Sequence, residues 1–168
     1  NGTRVTSEGL AHLKGLTHMR ELGLRKTRIS DAGLLHLAGM EALADLDLAE
    51  NELSDAGAAH LKGLSQLTVL YLSQTHLGDA GLTHLAGLSN LTVLHIGETK
   101  VTDAGLAHLK GLSKLEALSL YDTEITDAAL LHLHGLPTLT YLYPTESVVT
   151  DEAFARLPEP LPPSNTRR

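Results

Sequence analysis

Six histidines stand twenty-four residues apart, at His12, His36, His60, His84, His108 and His132. All but the first follow an aspartate by five places, from Asp31/His36 to Asp127/His132. A column of imidazoles is a donor set for zinc, nickel or copper, and an Asp that orients a His is half of a hydrolytic triad. Neither chemistry is expected here. If each histidine sits on its own short helix, neighbouring helices lie about 8–10 Å apart, whereas one zinc needs its nitrogens at about 2 Å. No carboxylate or thiol column completes a coordination shell, and His134, two places after His132, points another way on a helix. A triad also needs a nucleophile at the imidazole, and an active site is singular, whereas this pair recurs in repeat after repeat. The chain has no G-x-S-x-G segment, phosphate-binding loop or dinucleotide fingerprint. The sequence predicts no enzyme, no bound metal and no cofactor.

The spacing that undercuts the chemistry explains the scaffold. Apolar columns recur every 24 residues, and the fourth unit shows them whole: Leu77, Leu82, Leu85, Leu88, Leu91, Leu94 and Ile96 behind Thr75. Units begin at Thr3, Thr27, Asn51, Thr75, Thr99, Thr123 and Ser147, with no insertion or deletion from Thr3 to Glu146. Stacked turns require such regularity because every turn must meet the same neighbour. Leu70 and Leu72 alternate with Val69 and Tyr71, the period of a strand with one buried face. Thr102 or Asp103 is placed to cap a following short helix, and Gly111 to end it in a left-handed conformation. The column Gly9, Gly33, Gly57, Gly81 and Gly105 implies close approach between neighbouring turns. It ends in Ala129 and Ala153, which reads as a demand for a small residue rather than for Gly itself. Asn51 and the threonines Thr27, Thr75, Thr99 and Thr123 are expected to bond the backbone of adjacent turns, since buried amides must be satisfied.

The segment L-x-x-L-x-L-x-x-[NT]-x-[LIV] recurs in each unit, as in Leu67, Leu70, Leu72, Thr75 and Leu77. It resembles the leucine-rich repeat family, over six full units from 3 to 146 and a partial seventh to about Leu157. The second half, [TS]-D-A-G-L-x-H-L-x-G-L from Thr102 to Leu112, is similar to the helical variants of bacterial repeat proteins and the ribonuclease-inhibitor-like group. The third unit, Ser54 to Ala58, is similar to a bacterial effector subgroup. The chain departs from the family in placing Thr where Asn is usual, and Pro144 where a core Leu is usual. The resemblance implies an α/β fold: a right-handed solenoid with short parallel strands on its concave face and short helices on its convex face. It also implies a protein–protein interaction module.

Composition narrows the remaining classes. The formal net charge is −7, which disfavours nucleic acid or an anionic membrane as partner. No apolar run approaches the roughly 20 residues that span a bilayer, and no signal peptide is visible. Zero cysteines exclude disulfide caps and thiolate chemistry. Bacterial cytoplasm, periplasm and cell surface all stay open, cytoplasm slightly ahead, and the start at Asn1, just before a repeat boundary, reads as a fragment of something longer. One repeat domain over 1–157 is expected, closed by Phe154, with a Pro-rich tail or linker over 158–168. At the other end Leu10, Leu13 and Leu16 are expected to face solvent, so the uncapped first repeat should fray or self-associate.

Repeats stop resembling one another only on the expected concave face. Its exposed places read Arg20, Glu21, Gly23, Arg25, Lys26 in unit one and Ala44, Asp45, Asp47, Ala49, Glu50 in unit two. In units three and four they read Thr68, Val69, Tyr71, Ser73, Gln74 and Thr92, Val93, His95, Gly97, Glu98. Units five and six supply Glu116, Ala117, Ser119, Tyr121, Asp122 and Thr140, Tyr141, Tyr143, Thr145, Glu146. Every tyrosine of the chain falls here, and no Lys or Arg does after unit one. Tyrosine supplies contact area and a hydroxyl at low entropic cost. A protein partner is therefore expected on Asp45, Asp47, Tyr71, His95, Glu98, Tyr121, Asp122, Tyr141, Tyr143 and Glu146, with Arg20, Arg25 and Lys26 as a basic end. Two other readings fit the repeats: the substrate-recognition arm of a larger bacterial effector or ubiquitin-ligase-type enzyme, and a structural spacer or engineered scaffold.

Overall fold

The computed structural model describes residues 2–143 together with Thr150 and Glu152. Glu146, Pro144, Phe154, Ala153 and the 158–168 tail lie outside the described residues. Six three-residue strands, β1 (Glu21–Gly23), β2 (Asp45–Asp47), β3 (Val69–Tyr71), β4 (Val93–His95), β5 (Ala117–Ser119) and β6 (Tyr141–Tyr143), form one open parallel sheet in chain order. Each residue pairs with the one 24 places on, so Leu22, Leu46, Leu70, Leu94, Leu118 and Leu142 make one column. Between strands run short helices: α1 (Ser7–Leu10), α2 (Asp31–Leu34), α3 (Asp55–Ala58), α4 (Asp79–Leu85), α5 (Asp103–Leu106) and α6 (Ala129–Leu133). All but α4 and α6 continue into a 3₁₀ turn. The leucines from both halves of each turn meet in a single core, where Leu70, Leu82, Leu85, Leu88, Leu91 and Leu94 are completely buried.

Polar ladders hold the turns side by side. Asn51 fulfils its expected role: its Nδ2 donates to Leu24 O at 2.8 Å, and its Oδ1 accepts from Thr27 N at 3.2 Å. The threonines behave differently. Thr75 and Thr99 each donate to the carbonyl three residues back in their own turn, at 2.7 Å. Thr27 does both, its Oγ1 lying 2.7 Å from Leu24 O in its own turn and 3.0 Å from Asn51 Oδ1 in the next. Thr102 caps α5 by accepting from Ala104 N at 3.3 Å. Asp103 does not cap; its carboxylate crosses to the next turn, where it accepts from Thr126 N at 2.8 Å and Thr126 Oγ1 at 2.6 Å.

This aspartate clasp recurs. Asp31 accepts from Ser54, Asp55 from Gly78 N, Asp79 from Thr102, and Asp127 from Thr150. It also accounts for the glycine column. A Cβ on Gly57, Gly81 or Gly105 would collide with the carboxylate of Asp31, Asp55 or Asp79 respectively. At those three positions, with the backbone as it stands, only glycine leaves the carboxylate its place. Further along the column a small residue suffices: the Asp103 clasp on Thr126 is kept beside buried Ala129, where α6 starts two places after Asp127.

The left-handed residues are not where the glycines suggested. Gly111 lies inside the 3₁₀ turn Ala107–Gly111, and a Cβ on it would press on Ala86 O at 3.3 Å. Lys26, Glu50, Gln74, Glu98 and Asp122, with φ between 51° and 56°, take that conformation instead. The chain must swing sharply from each strand into the Asn/Thr corner. The strain is offset by backbone bonds to the next turn, such as Glu50 N to Ser73 O at 2.9 Å. The first repeat also corrects its expectation in part. Leu10 is completely buried, because half-buried Val5, Leu13, Met19 and Leu22 pack around that end of the core; Leu16 alone of the three is largely exposed.

Candidate functional site

In each Asp–His pair the carboxylate bonds the next turn's Ser, Thr or Gly rather than the histidine five places on. No group of three or more metal-ligating side chains occurs among the described residues.

The concave face is built by register. Two columns flank the buried leucines: Glu21, Asp45, Val69, Val93, Ala117, Tyr141 and Gly23, Asp47, Tyr71, His95, Ser119, Tyr143. Strand alternation points both columns away from the core, and the 24-residue register sets chemically different residues side by side. Asp45 lies opposite Glu21 and one pleat from Asp47. Burial, followed by the charges of Glu21 and Asp47, pushes the Asp45 carboxyl above its ordinary range. Tyr71 sits opposite Asp47, and its hydroxyl is raised first by burial and then by Asp45 and Asp47. His95 meets the Tyr71 ring edge-on, with centroids 4.9 Å apart. Desolvation there lowers its pKa, favouring the neutral imidazole. Tyr141 and Tyr143, 45% and 39% exposed, flank buried Leu142 at the far end.

A third group forms a ridge along the strand ends. The Tyr121 ring lies over Gly97, where any Cβ would strike it, and its hydroxyl donates to the Glu98 carboxylate. Gln74 Nε2 donates to the same carboxylate at 2.5 Å. These two bonds, Gln74 first, lower the Glu98 pKa. Tyr121 therefore leans back over repeat four rather than toward Tyr143. Asp122 beside it is exposed and left-handed. In the expected basic end Arg25 Nη2 and Lys26 Nζ share Glu50, at 2.7 and 3.4 Å, which offsets one of the three charges that Arg20, Arg25 and Lys26 bring.

Register thus joins Asp45, Asp47, Tyr71 and His95 into one continuous surface, with Tyr141 and Tyr143 further along it. Glu98 and Tyr121 pair on the ridge, and Asp122 stands outside both groups. Ala49, Gly97 and Ser119, read from sequence as exposed, are buried. Gly97 and Gln74 were missed as members of the ridge. The available signal was a glycine one repeat before the tyrosine in the same column, which leaves room for a ring.

Comparison with known proteins places these features in a wider setting. A family model described as leucine rich repeat matches residues 17–77, and a second of the same description matches residues 87–109. Among solved structures, internalin C2 of Listeria monocytogenes is similar at a TM-score of 0.68 and 30% identity, over 93% of this chain and 74% of that one. An internalin (inlF) of the same organism shares the fold at a TM-score of 0.58 and 20% identity. There the match covers 92% of this chain and 55% of that one, so the present chain spans about half its length. No curated protein sequence matches the chain.

Proposed function

The chain belongs to the leucine-rich repeat family, and from that premise we propose that its concave sheet is the surface on which it binds another protein. Folds of this kind generally serve as protein-interaction modules and typically act by binding rather than catalysis. One observation carries the reading. The convex repeats keep one pattern, whereas the concave columns change residue by residue and hold Tyr71, His95, Tyr141 and Tyr143 outside the leucine core. Aromatic side chains held on a rigid sheet lose little entropy on contact, the property of interface hot spots. Photo-crosslinking groups at Tyr71 and Tyr143, compared with groups at His84 and Leu131, test the reading. A partner adduct should form from the first pair; an adduct from the second pair alone places the site on the convex side.

A second contact is favoured by a separate observation. Leu16 stands 48% exposed in the first repeat, an apolar contact for end-to-end pairing of two copies. Sedimentation should show dimer that Leu16→Ser weakens; a strict monomer at high concentration refutes it.

A further inference from the structure

We infer that the occupant of the concave sheet is a segment of another protein, helical and laid across the strands, with a Lys or Arg over β2 and apolar or aromatic side chains over β3 to β6. The inference rests on the concave-binding reading above and names the chemistry of its partner.

The sheet carries a step between β2 and β3. Both columns change character between the same two strands: Asp45 gives way to Val69, and Asp47 to Tyr71. Before the step the surface is anionic, with Glu21 paired across register to Asp45. After it the first column continues as Val93, Ala117 and Tyr141, with no charge. A coincident step in two columns gives the face a direction.

Among the described residues no cation lies within ion-pair distance of Glu21, Asp45 or Asp47. Arg25 is close enough for Asp47 to raise its pKa, yet its guanidinium is engaged with Glu50. The crowding shows in Asp45, whose proton is held more tightly through burial, Glu21 and Asp47. A cation brought by a partner relieves that repulsion and meets the Tyr71 ring opposite Asp47, a geometry suited to cation–π contact. Arg suits it better than Lys, because its planar guanidinium can stack on the ring while bonding a carboxylate.

Spacing selects the helix. Parallel strands lie about 4.8 Å apart and one helical turn rises about 5.4 Å. Side chains at i, i+3 or i+4 and i+7 therefore fall on successive strands. From β2 to β6 is about 19 Å, or roughly 13 helical residues. Tyr121 takes no part, since its ring and hydroxyl are already committed to Gly97 and Glu98.

The test is selection from a displayed library of random helical peptides of about 15 residues. The intact chain, an Asp45→Asn/Asp47→Asn variant, a Tyr71→Ala/Tyr141→Ala/Tyr143→Ala variant and convex His84→Ala serve as baits, each checked to be folded by cooperative unfolding. Enriched sequences should carry Arg or Lys one turn before an apolar stripe. They should lose at least tenfold in binding to the carboxamide and alanine variants, and nothing to His84→Ala. Sequences that need the tyrosines but have no basic lead, and ignore Asp45→Asn/Asp47→Asn, overturn this inference and leave the concave site standing. Sequences indifferent to the tyrosines, or no enrichment at all, overturn both.

Discussion

Replacing Gly105 with alanine sets two effects of opposite sign against each other. Gly105 lies inside α5, and alanine in a helix interior is favoured over glycine by about 1 kcal/mol. The added Cβ, however, falls against Asp79: on its Oδ1, 2.9 Å from Cγ and 3.1 Å from Cα. The carboxylate cannot stay in place, and with it go the bonds from Thr102 N and Thr102 Oγ1 at 2.8 and 2.7 Å. Hydrogen bonds to a charged group contribute about 1.5–3 kcal/mol each. Asp79 is half-buried, so the lower figure applies to the pair, a loss of about 3 kcal/mol against the gain of about 1. Gly105→Ala should therefore destabilise by about 2 kcal/mol. Gly87→Ala is the control, because a Cβ there meets nothing within 4 Å, and it should stabilise by about 0.4–1 kcal/mol. Urea unfolding with unchanged m-value measures both. On an Asp79→Ala background the cost of Gly105→Ala should shrink, leaving only the contact with the Asp79 backbone. A neutral or stabilising Gly105→Ala, or an unchanged cost without the carboxylate, refutes the interlock.

Leu94→Ala, in the completely buried central column, should cost about 2–5 kcal/mol in the same assay, and half-buried His84→Ala on the convex side far less; equal losses would break the assigned register. Because burial lowers the His95 pKa, its contribution to stability is present above its unfolded pKa of about 6.5 and lost as pH falls through the folded value. His95→Gln should flatten that decline in unfolding curves between pH 7.5 and 5. Asp45 has the opposite sign: its raised pKa means stability is greatest below the unfolded pKa and lost as pH rises through the folded one, so Asp45→Asn should stabilise at neutral pH and not in acid. Tyr121→Phe removes one exposed hydrogen bond to Glu98 and should cost under about 1 kcal/mol. It should leave concave affinity unchanged, while Tyr143→Ala lowers it; a reversed ranking would move the binding surface onto the ridge.

The repeat number, the phase of the strands and the leucine columns were legible in the sequence by itself. They follow from a one-dimensional rule: every turn must bury the same positions against the same neighbour. That rule also exposed the concave columns, because positions freed from burial are free to vary. Contacts between a side chain and a residue 23 or 24 places away were decided by tertiary structure alone. Period says that Asp79 and Gly105 lie on adjacent turns, but not that the carboxylate rests where a Cβ would be, nor that Asp103 bonds Thr126 rather than capping its own helix. Composition placed Arg25 and Lys26 at a basic end, and only the left-handed corner at Glu50 brought its carboxylate to both. The same holds for Tyr121, counted in sequence as an exposed tyrosine and held in the structure by the space that Gly97 leaves and by Glu98. Burial follows from pattern because apolar transfer is nondirectional; these pairings depend on rotamer and hydrogen-bond direction, which appear only when the turns are stacked.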